Sequence, residues 1–185
     1  MKRGSLCKKK GMGMDMAVSI KQLIDKLELQ NLTPEVDITG IKVTQPDINR
    51  PALQLAGYFE HYDETRPQII GFVEYSYMEH MTEEDKREVY PKVLSEKTPC
   101  IVFCRDLRPD EIFLETAVKN KVPVLLTQKS TSAFMAEIIR WLNVNSFQSA
   151  GPYNLVLYNF NIAFLSSSAA FLIVFILINH SFILL

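Results

Sequence analysis

Arg50 stands immediately before a proline, in the run Asp47-Ile48-Asn49-Arg50-Pro51. A residue before proline is biased toward extended backbone, and proline suits the first position of a helix. The spacing therefore places a guanidinium just ahead of a helix start, where a planar fork of donors and free backbone amides can together hold an anion. Asp47 can accept from a ribose hydroxyl or a base. Asp47, Asn49 and Arg50 are thus a candidate ligand site. The plainer alternative is structural: Asp47 and Asn49 cap the helix that begins at Pro51, and Arg50 pairs with Asp47.

The other chemically capable residues point to structure first. Lys129-Ser130-Thr131-Ser132 precedes a helical pattern and can either hold a phosphate or simply cap that helix. Glu83, Glu84, Asp85 and Glu88 share one short stretch with Lys86 and Arg87, the composition of a solvated helix face. His61, His80 and His180 lie far apart, with no nucleophile elbow near any of them. Tyr58, Phe59, Tyr62, Phe72, Tyr75 and Tyr77 could stack bases, but no Lys or Arg is interleaved, so a core or interdomain surface explains them better. The three cysteines, Cys7, Cys100 and Cys104, include no CxxC pair. An odd count of this kind fits a reducing, cytoplasmic compartment, with Cys100 and Cys104 as small core residues. No metal site is expected from them, since no histidine neighbours them.

These groups must be positioned by an alternating α/β chain. Ser19 can cap a helix whose Ile20, Leu23, Ile24 and Leu27 fall at i, i+3, i+4, i+7. Ile41 and Val43 alternate like a short strand, and Pro51 to Gly57 brackets a second helix. Gln68 to Val73 reads as a strand, and Thr82-Glu83-Glu84-Asp85 has the spacing that caps a helix through about Leu94. Cys100 to Cys104, Pro109 to Asn120 and Val122 to Thr127 then form a strand, helix, strand unit, followed by a helix from Ser132 to Leu142. Short, wholly apolar strands joined by a helix should lie parallel and be covered on both faces. The expected fold class is α/β, a three-layer domain with a short, mostly parallel sheet.

Thr44 to Phe59 reads TQPDINRPALQLAGYF. With Thr98-Pro99-Cys100-Ile101-Val102 and Val122-Pro123-Val124-Leu125, this segment resembles the N-terminal domain of HPr kinase/phosphorylase, a bacterial regulator of sugar use. The resemblance covers about residues 16–144. It implies a fold like the uridine-nucleotide-binding N-terminal domain of the Mur ligases. It also implies a place in carbon catabolite regulation by the sugar phosphotransferase system. The complete family enzyme uses ATP and Mg²⁺ to phosphorylate a serine of HPr and also reverses that step, in a following domain built on a P-loop. Such a loop needs two glycines five positions apart. Gly4, Gly11, Gly13, Gly40, Gly57, Gly71 and Gly151 include no such pair. The resemblance therefore implies a truncated, regulatory or docking domain, inactive alone, with no catalytic residue and no cofactor of its own. HPr or the missing catalytic domain would be its partner, in an enzyme that is oligomeric when complete.

A net charge of −1 gives no basic field for nucleic acid. The 20 Lys and Arg and 21 Asp and Glu all lie at or before Arg140. Residues 1–15, rich in Lys but without an apolar run, read as an extension rather than a signal peptide. Residues 145–185 carry no charge and read as an apolar tail, either the product of a shifted frame or a membrane segment. Within it 163–185 is long enough to span, because roughly 20 apolar residues cross a bilayer. The remaining readings are a nucleotide or small-anion sensor and a membrane-tethered α/β module.

Overall fold

The computed structural model describes residues 17–148. The expected extension at 1–15 and the apolar stretch at 163–185 lie outside the described residues. Among the described residues no helix is long and apolar enough to cross a membrane.

The elements run β1 (Val18–Ser19), α1 (Ile20–Leu27), β2 (Gln30–Asn31), β3 (Lys42–Val43), α2 (Ala52–Leu55), β4 (Gln68–Ile70), α3 (Phe72–His80), α4 (Glu83–Val93), β5 (Ile101–Phe103), α5 (Glu111–Lys119), β6 (Val124–Leu126) and α6 (Thr131–Gln148). The main sheet has the order β2-β6-β5-β4. β4, β5 and β6 are parallel, in the registers Ile69↔Val102 and Val102↔Leu125, and β2 joins antiparallel at Gln30↔Leu126. β1 and β3 form a separate antiparallel pair, Val18↔Val43.

Alternation along three short strands divides the core in two. Ile69, Val102 and Leu125 face Ile20, Leu23 and Leu27 of α1 and Phe134, Ile138 and Leu142 of α6. Ile70, Ile101, Phe103, Val124 and Leu126 face Leu55 of α2, Met78 of α3, Tyr90 and Val93 of α4 and Phe113 of α5. That second half is keyed by edge-to-face rings, Tyr90 on Phe113 at 4.9 Å and Phe103 on Phe113 at 5.2 Å. The expected three-layer α/β domain with a mostly parallel sheet is the fold observed.

The helix starts follow the capping residues. The Ser19 hydroxyl accepts from the Gln22 amide, and the Gln22 side chain reaches back to the Ser19 amide. Thr82 caps α4 through the Asp85 amide, and Asp110 caps α5 through the Phe113 amide. Gly57, at φ 89, closes α2 where other residues would be strained.

One expected strand is cut short. Gln68 to Val73 was the expected range, but β4 ends at Ile70 and Phe72 already belongs to α3. The Glu74 carboxylate accepts the Gly71 amide at 2.9 Å and starts a helix there. Phe72 and Val73 imitate a strand because they are outward positions of α3, 61% and 67% exposed.

Candidate functional site

Three parallel strands end on one edge of the sheet, and in open α/β folds ligands favour that carboxyl edge. Here Ile70, Phe103 and Leu126 deliver Gly71, Cys104 and Thr127 to it. Gly71 lies so close to α6 that a Cβ on it would meet the Thr131 hydroxyl at 2.7 Å. The starts of α3 and α6 therefore converge.

Glu74 occupies this junction. Its side chain is 2% exposed, and one oxygen accepts both the Gly71 amide at 2.9 Å and Arg50 Nη2 at 2.8 Å. A buried carboxylate is tolerated only when paired and hydrogen-bonded, and both conditions are met. Arg50 remains 40% exposed, so it has donors left toward solvent. Beside them, burial pushes the Cys104 thiol up to about 11, against the opposing pull of a Thr131 hydrogen bond and the positive Arg50 and Arg105. Burial alone raises Cys100 to about 12. Both thiols are protonated at neutral pH and unsuited to nucleophilic work.

The loop after β5 is strained. Arg105 and Asp106 are both left-handed, at φ 64 and 56, a conformation rarely adopted by residues with side chains. Their amides donate to Lys129 and Thr127 carbonyls at 3.0 Å, which ties the β5 loop to the β6 loop. A cavity of about 370 Å³ opens there, between Leu27 and Glu28 at the end of α1 and the Gln128-Lys129 turn. Lys129 itself is held by Glu137 at 2.6 Å, and Ser130 accepts from the Ala133 amide. The capping reading of Lys129 to Ser132 matches this geometry.

The three residues singled out in the sequence diverge. Asn49 extends the sheet as an isolated parallel bridge beside Gln68, and its side-chain amide donates to the Asp63 carbonyl at 2.7 Å. Asp47 is 64% exposed and lies 3.7 Å from Arg66. Only Arg50 reaches the carboxyl edge. The expected structural roles are corrected as well. Arg50 pairs with Glu74 rather than Asp47, and neither Asp47 nor Asn49 caps α2, whose N-cap Pro51 receives no side-chain bond. The cause is the extended run beside β4, which spends Asn49 on the sheet and carries Arg50 onward to α3. Glu74 is the residue that sequence reasoning passed over. Its signal was Gly71-Phe72-Val73-Glu74, an acid three places after a break.

Elsewhere the charged groups are structural. Glu83, Glu84, Asp85 and Glu88 are exposed. Lys86 leaves that solvated face, being only 15% exposed and bound to Asp110 at 2.9 Å. His61 and His80 are exposed and separate in the chain, and His180 lies outside the described residues. Among the described residues no group of three or more His, Cys, Asp or Glu could hold a metal ion. Of the aromatic cluster, Phe59 and Tyr75 pack on the core, whereas Tyr58, Phe72 and Tyr77 face solvent.

A family model described as the HPr Serine kinase N terminus matches residues 18–142. The HPr kinase/phosphorylase of Lachnoclostridium phytofermentans is 50% identical over 127 residues, 69% of this chain and 41% of that protein. The Caldicellulosiruptor bescii protein of the same name is 37% identical over 124 residues, and a Streptococcus thermophilus one 35% over 128. The chain spans about two fifths of the length of these relatives. It belongs to the HPr kinase N-terminal domain family.

Proposed function

We propose that this domain is the regulatory and docking part of an HPr kinase/phosphorylase system, and that the 185 residues here do not themselves transfer phosphate. The observation that carries this reading is Arg50 locked to buried Glu74 at the carboxyl edge. The cation best placed for an anion already holds an internal one. The sequence also offers no glycine pair with P-loop spacing. Under this reading ATP and Mg²⁺ are handled by the catalytic part of the family enzyme, and HPr or that catalytic part is the cytoplasmic partner. Phosphoryl transfer is mostly positioning and charge stabilisation by loop, lysine and metal, so their absence leaves no residual route. The expected result is no ATP-dependent labelling of HPr serine by the purified chain. Labelling above a no-protein blank overturns the reading.

A second reading, a nucleotide or small-anion sensor, is favoured by the 40% exposure of the Arg50 side chain where α3 and α6 begin. It requires millimolar nucleotide to raise the melting temperature of the wild type but not of Arg50→Ala. The absence of any shift in the wild type removes it.

A further inference from the structure

The loops after β5 and β6 part to opposite faces of the sheet, the first leading to α5 and the second to α6. Neighbouring loops that diverge at the carboxyl edge of a parallel sheet open a crevice that ligands favour. The cavity of about 370 Å³ lies at this edge, at the small end of the roughly 300–1,000 Å³ range of ligand pockets. Its walls are preset. The Arg105 and Asp106 amides tie the β5 loop to the β6 loop, and Gln30 is paired with Leu126 across β2 and β6.

The lining combines hydrocarbon with acceptors. Leu27 and Leu126 are core residues that also border the cavity. The Glu28 and Asp106 carboxylates, the Gln30 and Gln128 carboxamides and the Thr127 hydroxyl complete it. Thr127 is 5% exposed, and its oxygen accepts the Lys129 amide at 3.3 Å, which leaves it a second lone pair. Lys129, the cation of the lining, is already held by Glu137 at 2.6 Å. Arg108 comes no nearer to Asp106 than 4.0 Å, between two exposed side chains, and among the described residues Glu28 makes no ion pair. The cavity is therefore net negative.

Glu28 is an unusual residue for its place. It caps the carboxyl end of α1 in left-handed backbone, φ 55, where glycine or asparagine is usual, and a carboxylate there opposes the helix dipole. Asp106, φ 56, repeats the left-handed conformation on the β5 loop. Choices that break local rules with no gain in packing are characteristic of sites where function sets the residue.

These features select one ligand chemistry. A phosphate or nucleotide would meet negative charge here and no aromatic ring to stack on. A metal ion would lack ligands, since among the described residues no group of three or more His, Cys, Asp or Glu could hold one. An ammonium group brings donors and charge to the carboxylates, and a short alkyl chain covers the two leucines. We propose that this cavity binds a small alkylammonium compound, its ammonium group held by Glu28 and Asp106 and its alkyl chain lying on Leu27 and Leu126. The site is separate from Arg50, and the proposal depends on neither reading given above.

The test titrates the full 185-residue chain with n-butylammonium chloride and follows the backbone amides by NMR. Asp106, Thr127 and Gln128 are expected to shift saturably in the millimolar range. Neither 1-butanol, the neutral analogue, nor sodium chloride at equal ionic strength should reproduce those shifts. Glu28→Gln and Asp106→Asn should each weaken binding at least about fivefold, the factor that corresponds to about 1 kcal/mol for an exposed charge pair. Their circular dichroism spectra should be unchanged, because the amides keep the shape and remove only the charge. Absence of saturable shifts in the wild type overturns the proposal, as does an equal response to sodium chloride. Equal binding of 1-butanol overturns the ammonium group as the recognised feature, and this comparison decides the matter even where a variant fails to fold. Unchanged affinity in both folded variants overturns Glu28 and Asp106 as its partners.

Discussion

The centre of the sheet and its β4 edge are held by different physics. β5 and β6 contribute Ile101, Val102, Phe103, Val124, Leu125 and Leu126, all buried and apolar, so their stability comes from removing hydrocarbon from water. The β4 edge buries Gln68 and Glu74 and borrows Asn49 and Arg50 from a distant segment. The centre has many interchangeable contacts, whereas the edge has few that cannot be exchanged. Losing one methylene from the centre costs in proportion to volume. Losing one partner at the edge strands a polar group in a dry site.

Phe103→Ala should show the largest effect, about 3–5 kcal/mol in urea denaturation, because the ring is fully buried on the α4 and α5 side of the sheet and packs on Phe113. A loss near that of a surface substitution would mean that the centre is loosely packed and the contrast false.

Arg50→Ala sharpens the contrast from the other side. It leaves the Glu74 carboxylate buried without its cation, and after allowance for the 40% exposure of Arg50 the cost should be about 2 kcal/mol. Pairing it with Glu74→Gln should recover much of that loss, since the amide oxygen can still accept the Gly71 N–H. Equal destabilisation of single and double variants would show that charge burial is not what binds the edge.

Asn49→Ala removes the bond to the Asp63 carbonyl and should cost about 1 kcal/mol, visible as a lower denaturation midpoint at unchanged slope. Asp47→Ala, by contrast, should stay within about 0.5 kcal/mol, since the carboxylate is mostly solvated. An Asp47 effect exceeding that of Asn49 would reverse the assignment of structural roles along this run.

A separate effect should come from alkali, small near about pH 9 and growing above it. Cys100 and Cys104 are pushed up to about 12 and about 11 from an ordinary 9.0. Above pH 9 the unfolded chain releases these protons while the native chain keeps them. Stability that is complete below that point therefore declines as pH rises toward the native values. Burial raises Tyr62 and Tyr90 in the same direction. Melting temperature should fall gently on the alkaline side, and Cys100→Ala should flatten part of the fall. A melting temperature that rises there would contradict the burial of both thiols.

The amino-acid sequence by itself determined the centre. Short apolar runs, each preceded by a proline, specify β5 and β6, because local preference and burial agree there and need no partner to be named. The caps Ser19 and Thr82 act within four residues of themselves, so the starts of α1 and α4 can be read directly, whereas α5, expected from Pro109, starts at Glu111 behind the cap Asp110. β1 and β2, two residues each, have no periodicity to read and exist only because β3 and β6 lie beside them. α3 was hidden because its exposed face is as apolar as its buried one, which erases the helical pattern. The partner of Arg50 was decided by the tertiary structure alone. Asp47 is three residues away and Glu74 is twenty-four, and chain proximity favours the first. The β4 bridge at Asn49 turns Arg50 toward the convergent starts of α3 and α6, where a buried carboxylate without a cation would cost more than any exposed ion pair returns.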